Sequence, residues 1–351
     1  MRGLLTCDIH ARSIPSWRTS YSRRLLREIS SKALSLGCDT VICAGDLWHE
    51  KHGVNPELLQ IIYEELERSA DNGVPWILLR GNHEIGLKSK PHETLLTLFS
   101  GIATIAVRPR KLVWNDTSVY FLPWYLGDQY RSLSQTLAKA TVSDSSSKKI
   151  LISHIGLNEG FVSPSNCYRV PQKVSLKDLH PECYNLVFLG DYHTTQHLGD
   201  RTMYGGSPIA LQFGDAPDQG VWLLDTDGPE VSLQNVPLSG PYPKYKSLKI
   251  PQGFTAELKT DELHCRYKIQ VHVDDAPKVR HLLGKDHVEV ETYGTRTIDQ
   301  SQRRLENVNA SDAIAVFRTF LDSRSVQDPL YRDLGEHAIK RAMGELYGAT
   351  K

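Results

Sequence analysis

Five short segments bring chemistry-bearing side chains to the ends of apolar runs. They are Asp8-Ile9-His10, Gly45-Asp46, Gly81-Asn82-His83-Glu84, Ser153-His154 and Gly190-Asp191-Tyr192-His193. Each run is short and reads as a β-strand: Leu4–Cys7, Thr40–Ala44, Val74–Leu79, Ile150–Ile152 and Leu186–Leu189. Helical periodicity lies between the first three, in Leu26, Ile29, Ala33 and Leu36, then in Leu59, Ile62 and Leu66. Gly37 and Gly73 supply helix stops, and Asn55-Pro56-Glu57 reads as a cap followed by proline at the first helical position. Strands alternating with helices imply largely parallel pairing with helices outside, an α/β fold. In such sheets the carboxyl edge is where loops converge on a ligand, so residues far apart in sequence can meet there.

Taken singly, these segments are weak signals. Gly-Asp and Gly-Asn are turn pairs, and a histidine after a strand can be a cap or a surface residue. Together, in order and each at a strand end, they predict one metal site. Carboxylate, carboxamide and imidazole donors suit Mn²⁺, Fe²⁺ or Zn²⁺ better than Ca²⁺ alone. Seven candidate ligands (Asp8, His10, Asp46, Asn82, His154, Asp191 and His193) exceed one tetrahedral ion and fit two ions sharing a carboxylate. Two-metal sites clamp the attacking and leaving oxygens of a displacement at phosphorus. His83, beside Asn82, is placed to act as an acid toward substrate, and Glu84 is expected to fix its proton-donating tautomer.

Bulk properties narrow the class. The chain has 351 residues, 40% of them hydrophobic, enough for two domains or one with an extension. Its 41 basic and 41 acidic residues cancel, so a nucleic-acid face would have to be local. Six cysteines show no Cys-x-x-Cys spacing, and no apolar run is long enough to span a bilayer. A reduced, cytoplasmic setting, the host cytoplasm for a phage protein, is the expectation. No P-loop pattern is present, so ATP binding through one is not expected.

The motif string resembles the calcineurin-like metallophosphoesterases, and within them the SbcD/Mre-type nucleases, including phage recombination endonuclease subunits. Gly45-Asp46-Leu47-Trp48-His49-Glu50 is similar to the second motif of that branch, and Tyr204-Gly205-Gly206-Ser207-Pro208 to its Gly-Ser-Pro segment. The last motif departs from the family's Gly-His-x-His, because Asp191 stands where an imidazole ligand is usual. That exchange favours Mn²⁺ or Mg²⁺ over softer ions.

The resemblance implies a four-layer sandwich, two mixed sheets flanked by helices, over residues 1–238. It further implies a small α/β DNA-capping module over 239–296 and a linker with C-terminal helices over 297–351. Asp8, His10, Asp46 and His193 would hold one ion. Asp46 would bridge to a second, held by Asn82, His154 and Asp191, with His83 and Glu84 catalytic. The implied activity is 3′–5′ exonuclease and single-strand endonuclease action on DNA, serving recombination, repair or replication. The implied partners are DNA, a second copy of the chain and an SMC-like coiled-coil ATPase docked on the C-terminal helices. A phosphatase or small-molecule phosphodiesterase on the same site, and a silent scaffold of the same fold, are the alternatives. Residues Trp48, His49, Tyr192, Arg12, Arg18, Arg23 and Arg24 lie near the motifs and admit either packing or substrate roles.

Overall fold

The computed structural model describes residues 1–13, 16–51, 53–85, 94–161, 172–215, 220–253, 264–282, 288–293 and 318. Along the chain run β1 (Arg2–Thr6), α1 (Ser16–Ser35), β2 (Thr40–Cys43), α2 (Pro56–Asp71), β3 (Trp76–Leu79), β4 (Ala103–Ala106) and β5 (Arg110–Trp114). There follow β6 (Thr117–Leu122), α3 (Gly127–Val142), β7 (Lys148–His154), β8 (Leu186–Gly190), β9 (Gln196–His197) and β10 (Thr202–Tyr204). The series ends with β11 (Val221–Asp225), β12 (Ser232–Val236), β13 (Lys244–Lys249), β14 (Cys265–His272) and β15 (Val288–Tyr293).

Two six-stranded sheets have the orders β12-β11-β1-β2-β3-β4 and β5-β6-β7-β8-β10-β9. Both are mixed. Parallel pairs β1/β2, β2/β3 and β3/β4 are flanked by antiparallel β11 and β12. In the second sheet, parallel β6/β7, β7/β8 and β8/β10 carry antiparallel β5 and β9 at the edges.

Period-2 alternation sorts the strand residues into two cores. Leu4, Val41, Cys43, Trp76 and Leu78 face α1 and α2, meeting Leu26, Ile29, Leu58, Ile62 and Leu66. Their neighbours Leu5, Cys7, Ile42, Ala44, Ile77 and Leu79 point the other way, against Val119, Phe121, Ile150, Ile152 and Phe188 of the second sheet. The outer face of that sheet (Tyr120, Leu122, Leu151, Val187, Leu189) buries against Tyr130 of α3 and Leu179. The result is four layers, helix–sheet–sheet–helix, as expected.

Local signals explain the element ends. Asn55 Oδ1 accepts the Glu57 amide at 2.8 Å, capping α2 with Pro56 at its first position. Gly37 and Gly73, after α1 and α2, take φ of 65° and 83°, open to glycine without strain. The residue pattern also reads Val119–Leu122, Met203–Ser207, Gly220–Asp225, Tyr267–Val273 and His287–Thr292 as strands, while β4, β5, β9, β12, β13 and helix α3 lie outside every such reading.

After the sandwich, β13-β14-β15 form a three-stranded sheet, with β13 and β14 parallel. The residue pattern from Ala276 to Leu283 reads as a helix between two strands, but the structure has a 3₁₀ stretch, Val273–Leu282, with Pro277 inside it. Proline has no N–H and cannot donate into an α-helical ladder. The molecule divides into two compact units, residues 1–271 with 278–291, and residues 272–277 with 292–351. The linker and C-terminal helices expected over 297–351 lie outside the described residues except Arg318, which is helical and exposed. No helix among the described residues is long and apolar enough to cross a membrane.

Candidate metal centre

Loops after β1, β2 and β3 of one sheet, and the ends of β7 and β8 of the other, meet at a single edge. The first two loops run side by side. Asp8 donates its amide to the Gly45 carbonyl at 3.0 Å, His10 to Asp46 at 3.0 Å and Ala11 to Leu47 at 2.9 Å. Among the described residues, seven non-glycine residues have positive φ, and four are here: Asp8, His10, Asp46 and Asp191. Such backbone is costly for L-residues, and it persists where surrounding structure over-determines it, commonly at functional sites.

The donors converge. Ligand atoms of Asp8, His10 and His193 lie within 4.8 Å of one another, as do those of Asp8, Asp46 and His154. Nε2 of His10 and Nε2 of His193 face each other at 3.1 Å. Asp46 Oδ2 is 3.6 Å from His10 Nε2, while Asp46 Oδ1 is 3.4 Å from His154 Nε2. One carboxylate therefore faces both groups of donors. Asp191 Oδ1 lies 3.6 Å from His154 Nε2 and accepts from Asn82 Nδ2 at 3.4 Å. The Asp191 amide donates to both Asp8 oxygens at 3.1 Å. All seven residues expected as ligands thus surround one space.

Two orphaned atoms test whether cations fit there. His154 donates Nδ1–H to the Ala44 carbonyl at 2.7 Å, which leaves a lone pair on Nε2. Among the described residues, that buried Nε2 and the buried Asn82 Oδ1 have no hydrogen-bond partner. Unpaired buried acceptors are expensive unless something electropositive completes them. The residues present fit a pair of divalent ions, and Asp46 would be the carboxylate available to both.

The electrostatics carry the same mark. Burial pushes Asp191 up to about 6, and neighbouring Asp46 and Asp8 push the same way. Burial likewise raises Asp8. Burial disfavours charge on His154, but Asp46, Asp8 and Asp191 outweigh it and hold its pKa well above the usual imidazole range. Burial opposes charge on Asp46 too, yet the imidazoles of His154, His10 and His83 keep its pKa below the ordinary carboxylate value. Crowded carboxylates with opposed shifts are what cations relieve.

Glycines permit this crowding. A Cβ on Gly45 would overlap the His154 ring, and one on Gly81 would overlap the Asp46 carboxylate. One on Gly190 would come within 2.7 Å of His154 Nδ1. The glycine before three of the motifs is thus a close-approach requirement as much as a turn device. The Tyr204–Pro208 segment supports the last motif from below: Ser207 donates its amide to the His193 carbonyl at 2.9 Å, and Gly205 to Leu189 at 2.9 Å.

Glu84 takes a different place from the one expected. Its Oε2 accepts the amides of Asp46 at 3.1 Å and Gly81 at 2.7 Å, and its Oε1 that of Leu47 at 2.7 Å. Both oxygens are spent on backbone, so Glu84 holds the two metal-site loops together rather than orienting His83. Burial and then Asp46 push its pKa up to about 8. The His83 ring is held instead by the His49 backbone carbonyl, to which Nδ1–H donates. Its Nε2 is left 3.7 Å from Asp46 Oδ2.

His49 belongs to the cluster, since its ligand atoms lie within 4.8 Å of those of His10 and His83. Its position in the second motif was the only sequence signal for this. Trp48 and Tyr192 are packing residues. Trp48 is buried in the core under α1 and α2, and Tyr192 donates its hydroxyl to Leu157 and packs on Tyr204 at 4.8 Å.

Comparisons with known proteins bear on this geometry. The profile of the calcineurin-like phosphoesterases matches residues 1–195. Among solved structures, a dimetal phosphatase from Danio rerio aligns at 12% identity and TM-score 0.48, over 67% of this chain and 95% of that one. Another solved chain aligns at 12% identity and TM-score 0.40, over 67% of this chain and 98% of the other. No curated protein sequence matches. With more than half its length matched by that profile, and with the motifs gathered at one sheet edge, this chain belongs to the calcineurin-like phosphoesterase family.

Proposed function

We propose that this chain is a two-metal-dependent DNA nuclease of the SbcD/Mre type. The observation that carries the phosphoester half of the reading is the His83 ring. Its Nδ1–H is committed to the His49 carbonyl, and Nε2 faces the metal-site carboxylate of Asp46. That atom can give a proton to a departing oxygen only from the imidazolium form, which the neighbouring Asp46 carboxylate favours. Burial holds the ring's pKa below its ordinary value, while Asp46 pulls it upward.

Asp8, His10, Asp46 and His193 would hold one ion, and Asp46, Asn82, His154 and Asp191 the other. Bound divalent ions supply Lewis-acid stabilisation of phosphoryl oxygens and a lowered pKa for water. The oxygen-rich second set, with Asp191 in place of an imidazole, supports Mn²⁺ or Mg²⁺.

The nucleic-acid half is supported by the flank. Strand β13 and the start of β14 are tied to α1, directly after the first motif. Arg18 Nη2 donates to the Tyr245 hydroxyl at 2.9 Å, and the Tyr21 hydroxyl bonds His264 Nδ1. A small-molecule phosphatase has no need of such an extension beside its site. The same reading assigns end processing in recombination, repair or replication, with an SMC-like ATPase on the C-terminal segment.

The test is cleavage of end-labelled linear duplex and single-stranded DNA with Mn²⁺ or Mg²⁺. The His83→Ala variant is expected to lose about 10²–10⁴ in kcat while binding metal normally by calorimetry. Metal-loaded, folded protein that hydrolyses phosphomonoesters but leaves DNA intact would move the assignment to a phosphatase.

A further inference from the structure

Five arginines follow the first motif, and their partners separate them. Arg23 Nη1 pairs with Glu64 at 2.6 Å and Arg27 Nη2 with Glu65 at 2.6 Å, both ties between α1 and α2. Arg24 donates to the Pro241 carbonyl at 3.4 Å and lies over the Tyr21 ring, 5.7 Å from its centroid. Arg12 turns the other way, toward the imidazoles. Its Nη2 donates to His49 Nδ1 at 3.0 Å, and that same nitrogen is 3.3 Å from His10 Nδ1.

Arg12 is also held in place. Its amide donates to Ser22 Oγ at 2.9 Å, and Ser22 Oγ donates back to the Arg12 carbonyl at 3.1 Å. The preceding residue, Ala11, bridges to Trp48. Yet the guanidinium is only partly satisfied. Among the described residues, its buried Nε has no hydrogen-bond partner, and the Glu50 carboxylate acts on it electrostatically while keeping a buried oxygen of its own without a hydrogen-bond partner. A guanidinium carries five donors and stays charged, so an incompletely paired one beside a catalytic cluster calls for an acceptor. Its guanidinium is a cation at neutral pH, as arginine is throughout the physiological range. Arg18 brings a second positive charge, and its partner Tyr245 packs edge-on against Phe213 at 5.1 Å.

Two kinds of ligand compete for this corner. A further divalent ion among His10, His49 and His83 would sit beside the Arg12 guanidinium, and like charge opposes it. An anion is favoured instead, and phosphate is the anion whose oxygens match the planar fork of arginine.

We infer that Arg12, backed by Arg18, binds the phosphate neighbouring the scissile one, so that the site selects a polynucleotide over a substrate with a single phosphate. This rests on the DNA-nuclease reading above and names a residue that enforces it.

The test compares two substrates with the full chain and Mn²⁺. One is a labelled oligonucleotide; the other is bis(p-nitrophenyl) phosphate, a diester with no neighbouring phosphate. For Arg12→Gln, the oligonucleotide KM is expected to rise about tenfold or more. The ratio of kcat/KM between oligonucleotide and small diester should fall by a similar factor. Arg12→Lys, which keeps charge without the fork, should recover part of the loss. The salt dependence of oligonucleotide binding should weaken by about one counterion in Arg12→Gln. Equal losses in kcat on both substrates, with oligonucleotide KM unmoved, would overturn the inference and leave Arg12 acting only through His49. Should Arg12→Gln fail to fold, as read by thermal melting, Arg12→Lys and Arg18→Gln carry the same ratio test. A wild-type protein that cleaves the small diester but no oligonucleotide defeats the nuclease reading itself, a result the variants do not produce.

Discussion

Three residues of the metal centre, Asp8, Asp191 and His154, hold protons more tightly than their free side chains would, and that has a measurable consequence. Ion binding needs Asp8 and Asp191 ionised and His154 Nε2 unprotonated. Burial raises both carboxylic acids, Asp191 to about 6, and the surrounding carboxylates raise His154. All three shifts leave the metal-free site protonated at higher pH than free side chains would be. Apparent Mn²⁺ affinity should therefore fall as pH drops through about 6, with protons released on binding. Calorimetry in two buffers of different ionisation heat counts those protons; a pH-independent affinity with none released would contradict the assignment. Glu84 gives the second prediction at this scale. Glu84→Ala strips the acceptor from three buried amides, each costing about 1–3 kcal/mol when unsatisfied. A lowered denaturation midpoint is expected, together with weaker metal binding, because the loops carrying Asp46 and Asn82 lose their common anchor. His83 was legible as a chemical residue from its neighbours in sequence. The group that orients it was not, since the His49 carbonyl comes from a loop 34 residues away and backbone acceptors leave no trace in side-chain identity.

Elements place these residues by ending where they do. Strands β1, β2 and β3 stop within three residues of Asp8, Asp46 and Asn82, while β7 ends on His154 and β8 immediately before Asp191. Apolar runs and their glycine punctuation made this readable, because burial on both faces demands continuous hydrophobic strands. Edge strands such as β5 and β12, half-exposed and mixed in character, carry a weaker pattern. Pro277 defeated the helical periodicity before Leu282, since one missing donor outweighs a favourable apolar spacing. Gly45 is the element-scale test of the turn after β2. Its φ is 96°, and an added methyl would strike the His154 ring. Gly45→Ala should cost about 1–3 kcal/mol in backbone strain alone. It should also reduce metal stoichiometry, because His154 must move. Full stoichiometry with wild-type affinity would show that the turn has slack.

On the scale of the whole molecule, the candidate metal-holding residues come from two sheets, which bound ions would join. Asp8, Asp46 and Asn82 hang from the first, His154, Asp191 and His193 from the second, and Val119, Phe121 and Phe188 fill the space between. Ions that bind only the folded state stabilise it by mass action, about 2.7 kcal/mol per site at a hundred times Kd. Chelation should lower the melting temperature and Mn²⁺ restore it. A melting temperature indifferent to both would argue against a site spanning the sheets. The sequence by itself determined the α/β class, the placement of the candidate ligands at strand ends and the donor types they offer, because periodicity and donor type are local properties. Only the tertiary structure decided that Glu84 braces loops, that the His49 carbonyl holds His83, and that Arg12 reaches the His49 imidazole. Each of those depends on which distant backbone or carboxylate reaches the side chain first, and long-range packing sets that.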